Sequence, residues 1–356
     1  MRARLVTLYF CVVLASLGVP ATYGQTVPWL YDVEVPVADQ GSDARREAAR
    51  TALLQLLTRL SGLIEVPDEE AVNQALLAPE LYYNGFRYVE GQVIDELGEV
   101  ADELRLRVQF ERNAVQGLLR AAGLPIWRGD RPRVLVWLGV ESAQERRIVG
   151  ADDASDLVSA LAQRARQRGL PMVLPLLDLE DQLAVEPAAV WGRLEGVLRP
   201  ASERYGADIL LLGRVQPLTG GAWTASWELW LDDEQLPLTQ RSADLPELGA
   251  LGADFVADEL ARRYAVLARE AQGISLAVHG IRGPGDYGGL LRYLNQLEFV
   301  DDVAVIQVFD DQVDLLLVTR ADIEQLLSLF AVDRTLKEVA LERPSGYDAE
   351  LAWQYR

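Results

Sequence analysis

The chain of 356 residues holds one histidine, His279, and one cysteine, Cys11, so the side chains that most often carry nucleophilic or proton-transfer chemistry are scarce. Ser275 lies four residues before His279 on a segment that reads as one strand. At roughly 3.3 Å per residue the pair would share a face about 13 Å apart, too far for a hydrogen bond. A structural or surface histidine fits this pattern better than a catalytic one. Zinc is disfavoured for the same reason, since its sites draw on His and Cys. Carboxylates are abundant, with 54 Asp and Glu. They cluster at Asp152-Asp153 with Asp156, at Asp232-Asp233-Glu234, at Asp301-Asp302 and at Asp310-Asp311. None follows the alternating Asp-x-Asp-x-Asp-Gly spacing of a calcium loop. Most sit at turns or helix starts, where Asp is locally favoured. A glycan hydrolase using two carboxylates about 5–9.5 Å apart remains an alternative, because so many acids make sequence pairs uninformative.

The stretch Gly280–Gly289 follows a strand and opens a helix, the placement of a phosphate cradle. Its glycine spacing is not the dinucleotide fingerprint, and no Gly-Lys-Ser/Thr follows. The simpler reading is a loop with Asp286 as N-cap. No cofactor or metal is implied. Trp223, Trp227 and Trp230 form the densest aromatic group. Trp223 and Trp227 share one strand face and Trp230 takes the other. They form either a strand buried on both sides or a stacking surface for a sugar or partner. Trp127 stands beside Arg128, Arg131 and Arg133, a concentration of positive charge in an acidic chain. That segment is a candidate partner surface, or else a linker whose tryptophan plugs an interface and whose Pro132 stiffens it.

These residues are positioned in a chain that begins as an export leader. Arg2 and Arg4 precede an uncharged run from Leu5 to Val19, broken by Pro20 and followed by small residues. A membrane span needs about 20 apolar residues. The run is shorter, so residues 1–24 read as a signal peptide cleaved after Gly24, or alternatively after Ala21. Cleavage removes the only cysteine, leaving a product without disulfides whose cores must hold unaided. The net charge of −20 becomes −22 without Arg2 and Arg4. Charge of that sign disfavours nucleic acid and anionic lipid surfaces as partners. No second long apolar run appears, so no stable membrane insertion is expected.

The mature segment reads as small α/β and α+β modules in series. Residues 27–125 follow the order β-α-α-β-β-α. Its leading strand, Trp29–Val37, alternates apolar and polar side chains, and a helix over Ala44–Leu60 stops at Gly62. Residues 131–271 alternate strands and helices, an α/β layer. Strand Val134–Val140 is apolar enough to be covered on both faces. Pro200 predicts a kink or break in a helix over about 188–205. Residues 273–340 read β-α-β-β-α, with a hairpin turn at Asp310-Asp311. Residues 342–356 read as a mobile tail.

Several stretches resemble an uncharacterised proteobacterial family of exported proteins, a domain of unknown function numbered two-zero-six-six. They are Trp29-Leu-Tyr-Asp-Val-Glu-Val-Pro-Val-Ala-Asp39, the Ala44–Gly62 helix and Leu106-Arg-Val-Gln-Phe110. Two more are Gly123-Leu-Pro-Ile-Trp-Arg-Gly-Asp-Arg-Pro-Arg-Val-Leu-Val-Trp-Leu138 and Glu203-Arg-Tyr-Gly-Ala-Asp-Ile-Leu-Leu-Leu-Gly-Arg214. The resemblance implies export and no defined activity. The middle segment also looks like the α/β domains of periplasmic assembly factors. Those are the TolB amino-terminal domain, curli-secretion-type proteins and flagellar ring accessory proteins. That likeness implies protein–protein binding. Together these features predict a periplasmic, non-catalytic binding or assembly-accessory protein whose partner is another envelope protein. A small-ligand binder using a cleft between modules is the further alternative.

Overall fold

The computed structural model describes residues 25–94, 100–142, 145–231, 233–267, 271–297, 299–339 and 346–354. The expected leader over 1–24 lies outside them. Strands β1 (Gln25–Thr26) and β2 (Asp32–Pro36) lead into helix α1 (Ser42–Ser61). Leu53, Leu56, Leu57 and Leu60 recur at helical spacing and are buried. Gly62 ends the helix with φ 75°, a left-handed cap that costs glycine nothing. Helix α2 (Glu70–Leu77), strands β3 (Tyr83–Ile94) and β4 (Val100–Phe110) and helix α3 (Arg112–Ala121) follow. The sheet order is β2-β4-β3, antiparallel throughout. Val33, Val35, Leu106, Val108 and Phe110 turn inward against α1 in one apolar cluster.

Strands β5 (Pro125–Trp127) and β6 (Asp130–Arg131) carry the chain into the central sheet. Here lie β7 (Val134–Glu141), β8 (Arg146–Val149), α4 (Asp156–Gln167) and β9 (Met172–Val173). Three short helices follow, α5 (Leu179–Ala184), α6 (Pro187–Gly192) and α7 (Glu195–Ser202). The break between α6 and α7 is made by Arg193, at φ 51°, and not by Pro200, which sits inside α7. Proline near a helix end forfeits a single backbone bond, so it is tolerated there.

Strands β10 (Ile209–Pro217), β11 (Trp223–Leu231) and β12 (Glu234–Ser242) complete a six-stranded mixed sheet. Strands β7 and β10 are parallel, while β10, β11 and β12 are antiparallel neighbours. Helix α8 (Leu245–Tyr264) packs with α4 on one face, and α5 to α7 cover the other. Helix α8 stops at Tyr264. Strand β13 (Ala265–Leu267) pairs with β5.

Strand β14 (Gln272–His279), helix α9 (Pro284–Asn295), strands β15 (Val300–Phe309) and β16 (Gln312–Thr319) and helix α10 (Ile323–Asp333) follow. Strands β17 (Leu336–Glu338) and β18 (Ala349–Trp353) close a sheet ordered β15-β16-β14-β18-β17. The last described residues are therefore not a mobile tail. β18 pairs parallel with β14 and buries Ala349 and Leu351. The apolar core does not divide near residue 272: one cluster runs from Trp127 through Val278 to Leu351. The whole is a mixed α/β and α+β architecture.

Candidate functional site: an arginine junction and a leucine-bearing loop

Segment 127–133 had two readings, a partner surface or a linker whose tryptophan plugs an interface. The structure turns it inward. Trp127 is 1% exposed and Arg131 0%, and Arg128 is also buried. The reason lies in the helix ends that meet there. The last carbonyls of a helix lack intrahelical donors and carry partial negative charge. The C-termini of α1 and α4 converge, and three arginines satisfy them. Arg131 donates Nη2 to Arg59 O at 2.7 Å, Nη1 to Arg168 O and Gly169 O at 2.9 Å, and Nε to Arg128 O at 3.1 Å. Arg168 of the α4 end donates to Gly62 O at 2.9 Å, and Arg59 of α1 donates to Gln167 O at 3.3 Å, a reciprocal exchange. The Trp127 ring lies 3.8 Å from the Arg131 guanidinium carbon, in cation–π contact.

Charge balance follows from α8, whose Asp254 and Asp258 accept from Arg168 at 2.5 and 2.7 Å. Burial, with repulsion from Arg166, brings Arg59 down to about 10, so it stays charged at neutral pH. Arg128 reaches the other way. Its Nη1 donates to Asp333 at the end of α10 at 2.8 Å, beside Tyr293 OH at 2.6 Å. Burial opposes its charge, but Asp333, with Tyr293 and Asp130, outweighs burial and raises its pKa. Arg133 is half-buried and donates to Tyr205 O at 2.9 Å. The four residues tie three parts of the chain together. Beside them opens a cleft of about 500 Å³ between the end of α1, α8 and Gln325 of α10.

The tryptophans resolve the same way. Trp227 and Trp230 are buried on opposite faces of β11, and Trp223 is half-buried against the main core. Gly213 and Gly252 make room for the Trp227 ring, which a Cβ at either position would approach within 2.4 or 2.6 Å. Of the two readings for this strand, burial on both sides is what Trp227 and Trp230 show, and not a stacking surface. His279 and Ser275 share β14, but each has its own carboxylate. His279 Nε2 lies 3.1 Å from Glu350, and Ser275 Oγ donates to Asp348 at 2.7 Å. Asp286 is not the N-cap of α9; it sits in the first turn and accepts from Arg282 N at 2.9 Å. Among the described residues, no group of three or more His, Cys, Asp or Glu is placed to hold a metal ion. Asp232 lies outside them.

What the sequence reading missed is the loop 175–183. Leu176, Leu179 and Leu183 are between 58% and 79% exposed, the last two one helical turn apart on α5. The loop beneath them is clamped. Asp178 accepts from Arg204 Nη1 and Nη2 at 2.8 and 2.7 Å and caps α5 through Asp181 N. Buried Asp181 accepts from Leu177 N at 2.8 Å, from Arg204 at 3.1 Å and from Tyr205 OH. Tyr205 OH in turn accepts from Leu176 N at 2.9 Å, and Gln182 donates to Leu177 O at 2.7 Å. Leu177 is held at φ 52°, a strained backbone for leucine that persists only where surroundings over-determine it. Burial and the bond to Asp181 push Tyr205 up to about 12. The arrangement leaves three leucines exposed on a loop held by these hydrogen bonds.

Arg204 holds Asp178 down at about 2, against an ordinary value of 3.8. A carboxylate depressed in the folded state stabilises it fully above about pH 4, and that support is lost as pH falls through about 2. Amide-exchange protection of Leu176, Leu177 and Asp181 should therefore be flat from pH 7 to 4 and drop between pH 4 and 2. In Asp178→Asn that acid-dependent drop should vanish; protection factors that stay level down to pH 2 in the unmodified chain would contradict the clamp.

Known proteins speak to the first part of the chain. Residues 25–128 match the family model Domain of unknown function (DUF8605). This is not the number that the motifs suggested; what stands is the coarser reading, an uncharacterised domain. The DUF8605 segment ends at Arg128, so it includes β5 and Trp127, the residues that enter the junction. No curated protein matches the chain. Among the described residues no helix is long and apolar enough to cross a membrane.

Proposed function

We propose that the protein acts after export across the inner membrane, as a non-catalytic binding or assembly-accessory protein of the envelope. In this reading, the leucine loop 175–183 is its contact surface for another envelope protein. The observation that carries the reading is the pairing of high exposure at Leu176, Leu179 and Leu183 with a hydrogen-bond network that holds them there. Single exposed leucines are ordinary; three on one clamped segment form a patch that association would bury. The loop carries Asp178 and Glu180 against Arg204, so a partner with basic residues around an apolar centre fits best. The leader pattern of residues 1–24 supports export, and the likeness of the middle segment to periplasmic assembly domains supports a protein partner.

A photo-crosslinker placed at Leu183 in intact cells should capture one discrete envelope protein, and one placed on exposed Glu90 should not. Leu179→Asp with Leu176→Asp should abolish that product while the melting temperature stays within about 2 °C, since exposed sites change stability little. Diffuse or identical products from both positions would overturn the reading. Sequencing the mature N-terminus checks export separately: it should begin near Gln25, and Met1 would contradict cleavage.

A further inference from the structure

The C-terminal sheet has one long strand at its rim. Strand β15 pairs with β16 on one side, and no strand among the described residues pairs with its other side. An edge strand presents unpaired backbone N–H and C=O groups, and proteins usually blunt such edges. Here the end of the hairpin is exposed. Ile306, Val308 and Phe309 are between 56% and 70% exposed, although Val313 opposite Val308 is buried. The register shifts between Val305 and Gln307, so Ile306 sits at a bulge that re-aims its side chain.

Charge brackets this apolar stretch. Asp301 and Asp302 lie at its start, and Asp310 and Asp311 form its turn. Asp301 is engaged by Arg320 at 3.0 Å. From Asp302 to Asp310 the strand spans eight steps, about 26 Å at roughly 3.3 Å per residue. Acids at both ends decide which strand can add. A second copy laid antiparallel would set Asp301 and Asp302 against Asp310 and Asp311. A copy laid parallel would set each pair against itself. Both registers bring like charges together, which costs stability directly across a strand pair. An extended segment with basic residues at both ends meets no such penalty.

We propose that β15 is a strand-addition site for an extended segment of another polypeptide, apolar at its centre and bearing Arg or Lys at both ends. The ladder supplies affinity, Ile306, Val308 and Phe309 supply apolar contact, and the aspartates select the partner and exclude self-pairing. The site lies on the C-terminal sheet, away in sequence from the leucine loop, and stands or falls independently of it.

The test uses the full mature chain and two synthetic peptides. One is Arg-Arg-Thr-Val-Thr-Val-Thr-Val-Thr-Arg-Arg; the other replaces each Arg with Glu. The arginine peptide should bind saturably, at least tenfold tighter than the glutamate peptide, and protect the amides of Val303–Phe309 from exchange. The binding should weaken with salt. Asp302→Arg with Asp310→Arg should erase the preference, because each end then carries one Asp and one Arg, a loss that a sticky but non-specific surface would not show. Asp302→Asn with Asp310→Asn and Asp311→Asn should shift the chain from monomer toward dimer by sedimentation. Equal binding of both peptides, protection elsewhere than β15, or an unmodified chain that dimerises through β15 would each overturn the proposal. The Leu176→Asp and Leu179→Asp variant should bind the peptide as the unmodified chain does, which separates this site from the leucine loop.

Discussion

Arg131→Met should lower the unfolding free energy by about 4 kcal/mol or more, among the largest effects of any single substitution here. The side chain is fully buried and donates to four carbonyls, those of Arg59, Arg128, Arg168 and Gly169. Methionine keeps much of the apolar stem but supplies no donor. Each buried acceptor left unmade costs about 1–3 kcal/mol, less whatever relaxation recovers. Two helix ends would also lose a cation placed at their negative poles. Arg131→Lys should fall between, because an ammonium cannot reproduce the planar fork that reaches four oxygens. Urea unfolding measures all three chains. A loss under about 1 kcal/mol for Arg131→Met would mean that water takes over the carbonyls and that the junction is not held by this side chain.

Trp127→Ala should cost about 3–5 kcal/mol, the usual range for truncating a buried tryptophan. The ring packs against Gly62, where an added Cβ would lie 3.3 Å from Trp127 Cε3, and over Arg131. Trp127 also sits on β5, opposite Ala265 of β13, so the cavity opens where the first module meets the rest. The expected result is a lower melting temperature with residues 25–128 unfolding before the remainder, seen as two calorimetric transitions. Crosslinking at Leu183 should persist below the first transition. An unchanged melt would mean that the Trp127 ring does not hold this junction together. Because Trp127 and Arg131 touch, the double variant should lose less than the two single losses combined.

Much of the architecture was legible along the chain because it is written locally. Leu53, Leu56, Leu57 and Leu60 recur at helical spacing, and Gly62 marks the stop. Trp223–Leu231 reads as a strand and is one, antiparallel to both neighbours. The turn at Asp310-Asp311 is where the hairpin turns, with Asp310 at φ 55°. The misses have a common cause. β13 and β18 are short segments that become strands only because distant residues, Pro125–Trp127 and Leu276–His279, offer ladders to them. Period and propensity carry no record of such partners.

The candidate sites show the same division. The residue types at 127–133 announced a special segment, and the sequence by itself determined that tryptophan and three arginines would be concentrated there. It could not determine which way they face. The residues themselves read as a partner surface or as a linker plugging an interface, and the convergence of α1 and α4 decides for the interior. Leu176, Leu179 and Leu183 posed the reverse case. Spacing of three and four residues reads as a buried helical stripe, yet the tertiary structure leaves no layer above α5 among the described residues. The sequence determined composition, charge, the leader pattern and most elements, because those are local properties. Inside versus outside was decided by packing, because burial belongs to pairs of surfaces and one stretch of chain specifies only one of them.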